Sequence, residues 1–308
     1  MQDVMIFAGN SNRKLAEEIA ECLGVRLGDS TITHFSDGEC SVSINESVRG
    51  KDVFVVQSTC CPVNDNLMEL LVMTDALRRA SAKSITAVIP YYGYARQDRK
   101  AKSHDPISAR LVADLIETAG INHMITMDLH ATQIQGFFRI PVDVLSGAVL
   151  AVDMFKDINR DDWVVVSPDL GSVARSRKFA EYLQIPLAIV DKRRPKANVS
   201  EVMNVIGEVE GKNVLIIDDM VDTAGTLCNS ADAIKDLGAN TIVAVATHGV
   251  LSGPACDRIM HSYIDRVIVS ESIPVKEEEK IEVMPTAKLF ADAIRLTQEN
   301  KSLSSLFI

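Results

Sequence analysis

Val214-Leu215-Ile216-Ile217-Asp218-Asp219-Met220-Val221-Asp222-Thr223-Ala224-Gly225-Thr226 sets an apolar run against two adjacent carboxylates and follows them with small, turn-forming residues. A short unbroken apolar run is the pattern of a parallel strand buried on both faces. Asp218 and Asp219 come where such a strand leaves the core, and Asp222 to Thr226 make the turn. Leu227 to Leu237 has a helical pattern, with Gly238 as its stop. Strand, tight turn and helix gather backbone N–H groups and a helix N-terminus around one point, a geometry that binds phosphate without a basic side chain. The neighbouring carboxylates are explained if they accept hydrogen bonds from vicinal hydroxyls, so that one sugar phosphate satisfies both ends of the stretch. There is no GxxxxGK[ST], which excludes a Walker loop.

With 308 residues, the chain is long for one core, and two domains are expected. A hydrophobic content of 47% and a charged content of 24% describe an ordinary globular protein. The net charge of −10 argues against a nucleic-acid partner, although local basic clusters can still meet anionic substrates. No apolar run approaches the ~18 residues of a membrane span. Met1 to Phe7 runs straight into a strand without a basic leader segment, so no secretory signal is expected. Cys22, Cys40, Cys60, Cys61, Cys228 and Cys256 show no zinc spacing and read as reduced thiols of a cytoplasmic protein.

Strand and helix patterns alternate throughout. Strands are expected at 4–8, 53–57, 85–89 and 123–127, and helices at 12–23, 65–80 and 106–119. The later half repeats the plan, with strands at 164–167, 187–190 and 241–246 and a helix at 173–183. This alternation implies an α/β fold with mainly parallel sheets flanked by helices. Asp75-Ala76-Leu77 through Val88 aligns without gaps on Asp232-Ala233-Ile234 through Val245, which suggests two similar domains arising by duplication. The boundary is placed near 141–150. Residues 1–145 and 146–285 then form the two domains, and 286–308 forms a helix and tail that pack back on the first.

Five further segments carry chemistry. Phe35-Ser36-Asp37-Gly38-Glu39 reads as a turn between two strands. Tyr91-Tyr92-Gly93-Tyr94-Ala95-Arg96-Gln97-Asp98-Arg99 follows a buried strand, where an Arg can meet ligand phosphates. Asp128 and His130 follow another strand; two apart on extended chain, they would share a side, and His can meet a metal or a phosphate. Ser167-Pro168-Asp169-Leu170-Gly171-Ser172 ends a strand of the later half. Asp191-Lys192-Arg193-Arg194-Pro195-Lys196 packs four cations into five positions after the 187–190 strand. As a mobile loop, it could close over a polyphosphate and neutralise shifting charge.

The 214–226 stretch resembles the phosphoribosyl-diphosphate binding motif shared by type I phosphoribosyltransferases and ribose-phosphate diphosphokinases. With the other segments, the chain from Met5 to Phe307 resembles the second family, the phosphoribosyl-diphosphate synthetases of the phosphate-activated, bacterial-type class. The resemblance implies two phosphoribosyltransferase-like domains. The implied reaction is transfer of the diphosphoryl group of Mg-ATP to the anomeric hydroxyl of D-ribose 5-phosphate. The products would be AMP and 5-phosphoribosyl 1-diphosphate for nucleotide biosynthesis.

By the same resemblance, Phe35, Asp37, Gly38 and Glu39 contact ATP from a neighbouring subunit, and Arg96 and Gln97 bind the nucleotide. His130 and Asp169 would hold Mg2+, and Lys192 and Arg194 would be catalytic. Arg194, Asp218, Asp219, Asp222, Thr223, Ala224, Gly225 and Thr226 would bind ribose 5-phosphate. Ser47, Arg49, Ser81 and Gln135 match a regulatory anion site to which the segment of Ser103 and His104 also belongs, with inorganic phosphate as activator and ADP as inhibitor. Many members carry Arg where His104 stands, and Arg139 replaces a common acid. A cytoplasmic homo-oligomer, a hexamer built from dimers, is implied. Two other readings stay open: a type I phosphoribosyltransferase, and a non-catalytic regulatory paralogue.

Overall fold

The computed structural model describes residues 4–193, 202–276 and 278–306. The chain divides into two compact units. One comprises Met1–Ser146, Ser272–Pro274 and Pro285–Ile308, and the other Gly147–Glu271 and Val275–Met284.

The first unit begins with β1 (Val4–Ala8) and α1 (Arg13–Leu23). Asn12 caps α1 by accepting a hydrogen bond from Leu15 N, and Gly24 ends it in the left-handed region. The hairpin β2 (Ser30–His34) and β3 (Cys40–Ile44) follows. Then come β4 (Asp52–Val56), α2 (Val63–Arg79), β5 (Ser84–Ile89), α3 (Ser108–Ala119), β6 (His123–Met127) and β7 (Val142–Leu145). The main sheet is parallel, in the order β1-β4-β5-β6-β7. Val53, Val55, Ile85, Ala87 and Ile89 face Leu70, Leu77, Val112 and Ile116 in one apolar core. Residues buried on both faces explain why these strands read as unbroken apolar runs.

The second unit contains α4 (Ala148–Phe155), β8 (Trp163–Ser167), α5 (Val173–Leu183), β9 (Leu187–Arg193) and β10 (Val202–Ile206). It continues with β11 (Asn213–Val221), α6 (Gly225–Asp236), β12 (Ile242–Gly249), α7 (Ala255–Met260), β13 (Arg266–Ser270) and β14 (Ile281–Met284). The seven-stranded sheet runs β10-β9-β8-β11-β12-β13-β14, with only β10 antiparallel to its neighbour. Alternate residues of β11 serve opposite faces. Val214 and Ile216 pack with Leu227 and Ile234 of α6. Leu215 and Ile217 pack with Phe179 and Leu183 of α5. The chain then returns to the first unit as α8 (Ala287–Gln298), whose Arg295 donates to Cys22 O at the end of α1.

Two expectations change. β11 does not stop before the carboxylates but runs through Asp218 and Asp219 to Val221, because β12 pairs with it to its end while β8 pairs only as far as Ile216. The 187–190 strand extends to Arg193, because β10 pairs antiparallel with 189–193 and satisfies its backbone. Lys192 therefore lies in a strand, opposite Met203, and the strand that follows it is an edge strand of the sheet rather than β11. Arg194 and the cations after it lie outside the described residues.

Candidate active site

In the second unit, Asp169 after β8 is linked through Ser172 to the Asp218–Asp219 pair of β11. Asp169 lies in the turn after β8, where Ser167 Oγ donates to its carbonyl at 2.7 Å and Ser172 N to its Oδ1 at 2.9 Å. The Ser172 hydroxyl donates in turn to Asp218 Oδ1 at 2.8 Å, so one residue ties Asp169 to Asp218. The same Asp218 oxygen accepts the Asp219 amide at 2.9 Å. Arg175, in the first turn of α5, brings Nη1 to 3.3 Å from Asp219 Oδ1 and 3.8 Å from Asp218 Oδ1. The Asp218 side chain is 21% exposed and that of Asp219 only 8%, so Asp218 is the more accessible acid.

Burial, and then the charge of Asp219, push the Asp218 carboxyl up to about 7, and the Ser172 hydrogen bond only partly offsets them. A pair so arranged favours ligands that bring hydroxyl donors or positive charge.

The turn after β11 is braced from outside. Leu251 N donates to Val221 O at 2.9 Å, Ser252 N to Asp222 O at 3.0 Å, and Arg258 Nη1 to Thr223 O at 2.9 Å. Ala224 adopts φ 58°, and α6 starts at Gly225 with no side-chain cap. Its first N–H groups are donors of the kind that hold phosphate. Thr223 and Thr226 are exposed there, and a side chain at Gly225 would meet Arg258 Nη1 at 3.4 Å.

In the first unit, Phe35–Glu39 forms the tip of the β2–β3 hairpin. Phe35 N donates to Glu39 O at 2.8 Å, and Asp37 Oδ1 accepts from Glu39 N at 3.1 Å. Gly38 takes φ 95°, which only glycine adopts at low cost, and Phe35 is 59% exposed, open to stacking. The segment after β5 is anchored by two buried hydroxyls. Ser58 Oγ accepts from Tyr91 N at 3.3 Å, while Thr59 Oγ1 donates to Tyr91 O at 3.1 Å and accepts from Gly93 N at 2.6 Å. Gly93 is required by close approach, since a Cβ there would meet Thr59 O at 2.4 Å. Arg96 and Gln97 are exposed beyond this clamp, and Ser108 Oγ donates to Gln97 Oε1 at 2.5 Å.

Asp128 and His130 are not two apart on extended chain, so strand alternation does not put them on one side as expected. β6 ends at Met127, and Asp128 has φ 34°, so the chain there is not extended. His130 itself is exposed.

Of the regulatory residues, Ser47 and Arg49 lie on an exposed turn whose Gly50 N donates to Ser81 O at 2.9 Å. Ser103 and His104 lie on a separate exposed turn, and Gln135 on the 3₁₀ helix Thr132–Phe137. Sequence reasoning missed Arg175 altogether and gave Ser172 no role. Arg175 looks like one of three cations on a solvated helix with Arg177 and Lys178, and nothing local marks it as turned inward.

Comparison with known proteins gives one answer. Residues 4–120 match the family described as the N-terminal domain of ribose phosphate pyrophosphokinase, and residues 192–308 match the phosphoribosyl synthetase-associated domain. A ribose-phosphate pyrophosphokinase of Caldanaerobacter subterraneus subsp. tengcongensis is 61% identical over 98% of this chain and 97% of its own. One from Clostridium perfringens is 57% identical over 99% of this chain and 98% of its own. The crystal structure of phosphoribosylpyrophosphate synthetase from Mycobacterium smegmatis superposes with a TM-score of 0.92 at 43% identity, covering 97% of this chain and 99% of that one.

Proposed function

The chain belongs to the ribose-phosphate pyrophosphokinase family and is a transferase that moves a diphosphoryl group from ATP to ribose 5-phosphate; on that premise we propose how its residues divide the work. The α6 N-terminus and the 222–226 turn take the 5-phosphate, through Asp222, Thr223, Ala224, Gly225 and Thr226. Asp218 and Asp219 accept the 2- and 3-hydroxyls. Arg96 and Gln97 bind the nucleotide, and Phe35, Asp37, Gly38 and Glu39 of a second copy complete its site in a homo-oligomer, a hexamer in our reading. The anomeric hydroxyl attacks the β-phosphorus in line and AMP leaves. Such a step depends on positioning and charge neutralisation more than on covalent help. Lys192 and Arg194 stabilise the charge that shifts to the leaving group.

Mg2+ would be held by His130 and Asp169, and when bound it neutralises polyphosphate charge. Of the two, Asp169 offers the hard oxygen donor that this ion prefers, and the ion fills most of its shell with water and phosphate oxygens. Inorganic phosphate would activate and ADP inhibit through Ser47, Arg49, Ser81, Ser103, His104 and Gln135. A cytoplasmic location is part of the same reading; among the described residues, no helix is long and apolar enough to cross a membrane.

The observation that carries this division of labour is the Asp169–Ser172–Asp218 chain of hydrogen bonds in the unit that also presents the uncapped α6 N-terminus. The purified protein, given ATP, Mg2+ and ribose 5-phosphate, is expected to release AMP in a coupled assay, faster with inorganic phosphate. AMP release that did not depend on the sugar phosphate would overturn the reading.

A further inference from the structure

Arg175 occupies the third helical position of α5, where the helix dipole is positive and a cation is unfavourable. Its neighbours Arg177 and Lys178 are exposed, whereas the Arg175 side chain is 26% exposed and turned onto the acid pair. Its Nη1 lies 3.3 Å from Asp219 Oδ1 and 3.8 Å from Asp218 Oδ1. Ser172, at the start of the same turn, donates to Asp218 Oδ1 at 2.8 Å. One helical turn thus delivers a guanidinium and a hydroxyl to two carboxylates that would otherwise repel each other in a nearly buried place.

We propose that Arg175, assisted by Ser172, is a positioning residue for the sugar. By engaging the Oδ1 atoms, it holds the Asp218–Asp219 pair in the one orientation that accepts the vicinal hydroxyls of the pentose. The inference rests on the reading of Asp218 and Asp219 as hydroxyl acceptors. Arg175 touches neither substrate; it acts through the carboxylates. Without its charge, the pair rotates apart, and the cost falls on sugar binding rather than on the nucleotide.

The test is steady-state kinetics of the full chain with ribose 5-phosphate and with 2-deoxyribose 5-phosphate. Arg175→Gln removes the charge and leaves a shorter polar side chain. It is expected to raise KM for ribose 5-phosphate about tenfold or more, the scale of a lost charge-assisted contact, and to change KM for ATP less than about twofold. Arg175→Lys restores part of the loss. The penalty shrinks with 2-deoxyribose 5-phosphate, which lacks one of the hydroxyls the pair must hold. Ser172→Ala, a smaller change that tests the idea even if Arg175→Gln folds poorly, is expected to raise the same KM about threefold.

Asp218→Asn separates the two levels of the argument. If it leaves KM for ribose 5-phosphate unchanged, the acid pair is not the sugar site and the underlying reading falls. If Asp218→Asn raises that KM but Arg175→Gln and Ser172→Ala do not, the positioning role alone is overturned. Equal penalties for both sugars, or for sugar and ATP alike, would also overturn it.

Discussion

The two units carry the same five parallel strands in the same order, β1-β4-β5-β6-β7 in one and β8-β11-β12-β13-β14 in the other. Val53 pairs with Ile85 as Val214 pairs with Ile242. Counting from those pairs, Gln57 stands in the place of Asp218, and Ser58 in the place of Asp219. Even the serine contact recurs: Ser11 Oγ donates to Gln57 Oε1 at 2.6 Å, as Ser172 Oγ donates to Asp218 Oδ1.

What differs is what the position faces. Gln57 is fully buried, and its Nε2 donates to Asn66 O at 3.1 Å and to Glu69 Oε1 at 2.8 Å. Glu69 also accepts from Asn10 Nδ2 at 2.8 Å and from Asn10 N. The first unit closes this strand end with a neutral amide inside a satisfied network. The second places two acids there, met by a hydroxyl, an amide and a guanidinium. One framework holds a polar plug in one unit and, in the proposed function, the sugar site in the other, while the proposed nucleotide residues of the first unit lie on the turn held by Ser58 and Thr59.

The largest expected effect tests whether the second unit also carries the transition-state charge. Lys192→Ala and Arg194→Ala should each lower kcat by about 10²–10⁴-fold, with smaller changes in KM for ribose 5-phosphate. Near wild-type turnover by both would move catalysis elsewhere.

The next tests the plug. Glu69→Ala takes one acceptor from the buried Gln57 amide and both from the exposed Asn10, and should destabilise the protein by roughly 1–3 kcal/mol, read by denaturant unfolding. A loss well under that range would mean the network is not closed by Glu69.

Thr59→Val removes the hydroxyl under the nucleotide segment while keeping its shape. KM for ATP should rise about three- to tenfold with KM for ribose 5-phosphate unchanged, and Thr59→Ser should behave as wild type. Equal shifts in both constants would assign Thr59 to general stability instead.

The smallest effect is in pH. The folded-state pKa of Asp218 is raised, to about 7, so the native state holds this proton more tightly than the unfolded chain does. The group favours folding below the ordinary carboxylate range and costs stability as pH climbs toward 7. Asp218→Asn removes that loss. Its melting temperature should gain on wild type between about pH 4 and about pH 7, by a few °C. A constant difference would show that Arg175 already holds the pair ionised.

Much of this was legible in local chemistry. The apolar runs at 53–56, 85–89 and 164–167 are buried strands, since both faces of a parallel sheet are covered. Asn12 and Gly24 bound α1 as side-chain cap and left-handed stop. The run from Val214 to Thr226 carried its strand, its turn and its acids in plain view, because each depends on residue type and on neighbours close in the chain. The length of β11 did not: its last residues are strand only because β12 lies beside them. Nor did the pairing of the basic segment with β10, which is a choice between distant backbones.

Asp218 and Asp219 stand out as candidate ligand acids from their setting alone, since paired carboxylates beside a phosphate-type turn need donors. Which cation answers them could not. Three basic residues share the stretch from Arg175 to Lys178, and only the packing of α5 against β11 turns Arg175 toward acids more than forty positions further along the chain. Propensity and patterning act over a few residues and are written in order. The direction of a charged side chain is decided by which surfaces the folded chain brings face to face.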